Sequence, residues 1–128
     1  MKLLWDTHTF LWFINGSSSL SPTGRRFIEA PESSNYLSIA SLWEIAIKLS
    51  IGKLTLDQPF DVLIPKQIAV NGIEVLPIKV EHLSVVATLT WHNKDPFDRL
   101  IVSQASVESM SLVSGDSAFD RYAVKRLW

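Results

Sequence analysis

The sequence predicts an α/β fold in which a mainly parallel central sheet is flanked by helices. Two observations carry this. Short apolar runs of strand length alternate with segments whose apolar residues recur at helical spacing, and such alternation builds parallel sheets with right-handed crossovers. Hydrophobic residues make up 47% of the chain and charged residues 20%, which suits a packed core and argues against disorder. At 128 residues the chain is expected to form one domain over 1–128.

Taken in order, Lys2 to Trp5 is a short apolar run that reads as a buried strand ending at Asp6. Thr7 opens a helix through about Ile14, stopped by Asn15-Gly16. Ser21-Pro22 places a capping hydroxyl before a proline at the first helical position, starting a second helix toward Ala30. Asn35 to Ser38 is a second strand. From Ile39 to Ser50, Ile39, Leu42, Trp43, Ala46 and Ile47 recur at helical spacing, and Gly52 offers a stop.

Pro59 to Val70 predicts a helix with Pro65 as a potential break, ended by Asn71-Gly72. Ile73 to Leu76 is a third strand and Glu81 to Leu89 a further helix. Asp95-Pro96 starts a helix running to about Ser109, followed by a strand over Ser111 to Ser114. A short helical turn near Asp116 to Tyr122 and a final edge strand over Ala123 to Leu127 complete the pattern.

Composition excludes several classes of function. Cysteine is absent, so disulfides, zinc–thiolate sites and thiol catalysis are ruled out. The apolar start is interrupted by Asp6 and His8 and lacks a signal cleavage site. No stretch approaches the ~20 apolar residues of a membrane span. A soluble cytoplasmic protein is the expectation. The net charge of −1 does not advertise a nucleic-acid binder, although an acidic metal cluster would offset a basic rim.

The carboxylates carry the functional signal. In parallel sheets, ligands bind beyond the carboxyl ends of the strands. Asp6 ends the first strand, and Asp116 stands two residues after Ser114. Asp98 lies in the first turn of the helix preceding that strand, and Glu44 lies in the helix after the second. Four carboxylates from distant segments can therefore meet at one sheet edge, where hard cations such as Mg²⁺ and Mn²⁺ prefer oxygen ligands.

Each acid also has a structural reading. Asp6 can cap the helix that follows it, and Glu44 can pair with Lys48 four residues on. Against the latter, Ser41, Glu44 and Lys48 form a narrow polar stripe on an otherwise apolar helix, which suits a cleft better than bulk water. Asp95 is the natural cap before Pro96, with Asp98 at the third helical position. Asp116 can cap the turn after it.

Other uses of strand-end acids fit less well. A phosphohydrolase with an Asp nucleophile would want a second acid two residues after Asp6, where His8 stands. A phospho-accepting receiver domain would need paired early acids and a lysine after a late strand. Neither a Walker loop nor a dinucleotide glycine fingerprint occurs.

The segments LLWDTHTFLWFI, SLWEIAIKLSIGKL, HNKDPFDRLIVSQA and LVSGDSAFDRYAVKRLW together resemble, in the same order, the PIN-domain toxins of the VapC type. The similarity spans nearly the whole chain. It implies a PIN-like three-layer fold with a five-stranded sheet between helices, and a homodimer. It implies cleavage of RNA by metal-activated water and a cognate antitoxin partner. Carried over by position, Asp6, Glu44, Asp98 and Asp116 would hold Mg²⁺ or Mn²⁺. Asp95 would be a cap or a support, Thr7 would hydrogen-bond the first Asp, Ser114 stands where threonine is frequent, and Asp120 would be auxiliary.

RNA contacts would fall to Lys48, Lys94 and Arg99, in or beside these motifs. Taken singly, each also reads as a solvated charge or an internal ion-pair partner. His92 is close enough in sequence to touch substrate, while His8 and His82 carry weaker signals. A PIN-like module that has lost catalysis and only binds a protein is the alternative. The complete set of four acids argues against it.

Overall fold

The computed structural model describes residues 1–128. Its elements are β1 (Lys2–Trp5), α1 (Thr7–Ile14), α2 (Pro22–Glu29), β2 (Ser34–Ser38), α3 (Ile39–Ser50), α4 (Phe60–Val70), β3 (Glu74–Leu76), α5 (Val80–Thr88), α6 (Pro96–Val107), β4 (Ser111–Val113) and β5 (Arg126–Leu127). A 3₁₀ turn at Ser117–Arg121 lies between the last two strands. The five strands run in the order β3-β2-β1-β4-β5, and every pairing is parallel.

Alternation along the short strands feeds two cores. Leu3, Trp5, Leu37, Val113 and Leu127 pack with Phe10 of α1, Ile28 of α2, Ile45 of α3 and Ile64 of α4 on one face. Leu4 and Leu112 point the other way, onto Ile101, Val102 and Ala105 of α6 and onto Phe119 and Tyr122. Burial on both faces is why these strands read as near-continuous apolar runs, and helices on both sides make three layers. No helix is long and apolar enough to cross a membrane.

Two elements differ from expectation. α4 passes through Pro65 unbroken. Proline removes one bond to the carbonyl four residues earlier, that of Asp61. Both residues lie on the exposed side of the helix, where only Ile64 is buried, so water can take the freed carbonyl. The final strand contracts to Arg126–Leu127, a short edge of the kind that resists further pairing.

Candidate active site

Strand order locates the site. β2 and β3 extend the sheet to one side of β1, and β4 and β5 extend it to the other. The crossovers therefore diverge at β1 and β4, the switch point beyond which open parallel sheets bind ligands. Register places Trp5 level with both Leu37 and Val113. The residues that follow, Asp6, Ser38 and Ser114, leave the sheet side by side.

A cleft of about 250 Å³ opens there, lined by Asp6, Thr7, His8, Glu44, Lys48, Asp95, Asp98, Asp116 and Phe119. Each acid arrives by a local rule. Asp6 is the first residue beyond β1, and its Oδ1 accepts the Thr9 amide at 2.8 Å, capping α1. Its Oδ2 accepts the Ser114 hydroxyl at 2.6 Å. The Asp116 amide in turn donates to Ser114 Oγ at 3.0 Å, so one serine ties the ends of β1 and β4 together. Asp116 caps the following turn through Ala118 at 2.9 Å. Asp95 caps α6, with Oδ1 accepting the amides of Phe97 and Asp98 at 2.9 and 3.1 Å.

Glu44 projects from α3, which begins directly after β2. Thr7 Oγ1 donates to its Oε1 at 2.6 Å, and Lys48 Nζ stands 2.9 Å from its Oε2. Thr7 therefore supports Glu44 and not the first Asp, contrary to the sequence expectation. The hydroxyl that reaches Asp6 is that of Ser114. Ser41, the third member of the polar stripe, is buried with its hydroxyl unpartnered and does not line the cleft.

Electrostatics here is one-sided, with five carboxylates facing one lysine. Burial first, then the charges of Asp95, Glu44, Asp6 and Asp116, push the half-buried Asp98 carboxyl from 3.8 up to about 7. The donor set is all oxygen, which fits a hard divalent cation such as Mg²⁺ or Mn²⁺. In this arrangement no three His, Asp or Glu side chains stand close enough together to hold an ion by themselves. Water would have to complete the coordination of any ion, as it commonly does for Mg²⁺.

Three expected residues lie elsewhere. Arg99 is buried, and its guanidinium donates to the carbonyls of Thr90, Val86 and Leu89 at 3.0, 3.3 and 3.0 Å. It closes the open C-terminal end of α5 and is not free to contact RNA, which corrects the sequence expectation. Asp120 lies outside the cleft and holds Arg126 through two contacts of 2.8 and 2.9 Å. That arginine also donates to the Ser114 carbonyl at 3.1 Å, so Asp120 steadies the end of β4 from behind, and the guanidinium keeps its carboxyl below the usual range. Lys94 is exposed and does not line the cleft.

His8, only a weak candidate in the sequence, and Phe119, which the sequence does not single out, also line the cleft. The signal for His8 was its position two residues beyond Asp6, in the first turn of α1. Gly115, between Ser114 and Asp116, makes room for Trp128, whose ring would stand 2.9 Å from a Cβ at that position. Trp128 also lies 5.8 Å from Trp12 and so braces the loop carrying Asp116 against α1.

A PIN-domain family model matches residues 3–125, and the chain belongs to the PIN domain family. Among solved structures, it is similar to VapBC2 from Rickettsia felis bound to a DNA fragment from their promoter. That likeness has a TM-score of 0.74 at 15% identity, covering 100% of both chains. It is also similar to VapBC-1 from nontypeable Haemophilus influenzae (TM-score 0.68, 16% identity, 98% of this chain and 96% of that one). FitAcB from Neisseria gonorrhoeae is a third similar structure (0.62, 17%, 97% and 95%). At such identities the likeness shows the fold. No curated protein matches the sequence significantly.

Proposed function

We propose that residues 1–128 form a single Mg²⁺- or Mn²⁺-dependent endoribonuclease unit, the toxin of a toxin–antitoxin pair that acts in the cytoplasm. The observation that carries the nuclease reading is the meeting of Asp6, Glu44, Asp98 and Asp116 in one cleft at the sheet's switch point. The toxin reading is supported by family membership and by the similarity to complexes named VapBC. A cognate antitoxin follows from the same likeness. A homodimer belongs to the same proposal, and the apolar groove lined by Trp43, Leu83, Val86, Pro96, Phe97 and Leu100 is the face it would use.

Asp6, Glu44, Asp98 and Asp116 would hold the cation, which when bound orients the phosphodiester and activates a water molecule for attack. The chain prepares those acids. Ser114 fixes the Asp6 rotamer through its hydroxyl, and Thr7 with Lys48 fixes both oxygens of Glu44. Asp98 and the second oxygen of Asp116 have no side-chain partner within the protein and are the freest to meet an ion. Near neutral pH, Asp98 must release its proton before it can act as an anionic ligand. Lys48 is the cation placed to meet an RNA phosphate at the cleft wall.

The test is cleavage of a mixed labelled RNA pool by purified, partner-free protein with Mg²⁺ or Mn²⁺. EDTA-treated protein and Asp6→Asn and Asp116→Asn variants run beside it. Metal-dependent cutting that EDTA abolishes, and that either substitution lowers by about 10²–10³-fold, is expected. Folded protein that cuts nothing with either ion would leave the silent protein-binding module as the function.

A further inference from the structure

We infer that Trp91 is a stacking platform for an unpaired RNA base beside the metal cleft, an inference that rests on the ribonuclease reading. Trp91 lies on the segment joining α5 to α6 and is 73% exposed. Its indole is not loose. The Arg99 guanidinium carbon sits 3.7 Å from the ring centroid, and the three carbonyls it binds at the end of α5 fix the guanidinium in turn. One face of the indole is thus held by a cation–π contact, leaving the opposite side facing solvent.

Shielding Arg99 from water would need only that one face. It does not account for so large an aromatic surface left open, since tryptophan is mostly buried on average. An open ring of fixed orientation is what single-strand binders present, because every base has a π face and little ordering cost remains. The surroundings fit. The segment is also held by Tyr122, whose hydroxyl accepts the Asn93 amide at 3.3 Å. Exposed Lys94 follows, able to meet a phosphate. Asp95, which lines the cleft, is only four residues from Trp91, so the chain keeps the two within about 14 Å.

The experiment uses the full chain and a single-stranded oligoribonucleotide chosen from strands cut in the pool assay. KM is measured for wild type, Trp91→Ala, Trp91→Phe and the control Val70→Ala, an exposed position on α4. The same strand is then made with an abasic nucleotide at each position in turn. Trp91→Ala is expected to raise KM about five- to hundredfold, with Trp91→Phe between it and wild type and Val70→Ala unchanged. One abasic position should reproduce the Trp91→Ala defect and add nothing to it, the signature of a direct pair. Wild-type cutting with an unchanged KM in Trp91→Ala, or a defect that adds to that of every abasic position, overturns the platform and leaves the nuclease reading intact. If wild type cuts no RNA, both fall together.

Discussion

The two ends of α6 treat a carboxylate in opposite ways. Asp98, in the first turn, has a carboxyl pushed up to about 7. Glu108, the C-cap residue, has one held below the ordinary carboxylate range, chiefly by its hydrogen bond from His82 and then by Lys79. The helix dipole alone would do the reverse, favouring the anion at the N-terminus and opposing it at the C-terminus. Local partners therefore decide. At the Glu108 end, His82 Nδ1 accepts the Lys79 amide at 3.0 Å, so a single proton on Nε2 can donate to Glu108 at 2.8 Å. At the Asp98 end, the neighbours are four more acids. One corner carries its own countercharges, and the other gathers five carboxylates against a single lysine.

Substitution at each end should separate stability from function. Asp98→Asn is expected to lower metal-dependent RNA cleavage by about 10²–10³-fold. The same change should stabilise the metal-free protein at pH 8 by about 1 kcal/mol, a figure already reduced for solvent screening. Glu108→Gln should do the opposite, costing about 1 kcal/mol and leaving the cleavage rate unchanged. Parallel kinetics and urea denaturation would show this. If both variants lost stability alike, the two ends would not differ in kind.

The satisfied corner is tested more severely by His82→Ala. It strips Glu108 and the Lys79 amide of a partner and leaves a void where a fully buried ring stood. The expected loss is about 2–3 kcal/mol, lowering Tm by on the order of 10 °C, with cleavage retained below the new Tm. Loss of cleavage in the still-folded variant would show that this corner reaches the cleft.

Much of this contrast is legible in the chain order. Asp6 and Asp116 announce themselves by following apolar strands, and Asp95-Pro96 marks the start of α6 and so the place of Asp98. Glu44 is visible because Ser41, Glu44 and Lys48 form a narrow polar stripe on a largely apolar helix. Long-range pairing is not legible. Nothing near Arg99 in sequence shows that the carbonyls at the end of α5 fold over it, so a motif arginine reads as a free cation. The exchange of partners between Thr7 and Ser114 is hidden for the same reason. Which hydroxyl reaches which acid depends on β1, β4 and α3 meeting in space. His82 reads as an incidental histidine because its partner Glu108 lies 26 residues away.

A last and smaller effect probes the unsatisfied end without mutation. The Asp98 carboxyl is raised, so the unfolded chain gives up that proton near 3.8 while the folded, metal-free protein keeps it to about 7. Its contribution to stability is therefore greatest at low pH and declines as pH rises through that window. A cation reverses the balance, because it favours the deprotonated group and its binding expels the proton. At pH 6 most of the site must lose a proton to bind, whereas at pH 8 little must. Mg²⁺ should accordingly raise stability by about 1 kcal/mol more at pH 8 than at pH 6 at the same concentration, or roughly 4 °C in Tm. Asp98→Asn should erase that difference, whereas Glu108→Gln should keep it. Equal Mg²⁺ increments at the two pH values in wild type would remove Asp98 from the ion's ligands and shift the centre toward Asp6, Glu44 and Asp116.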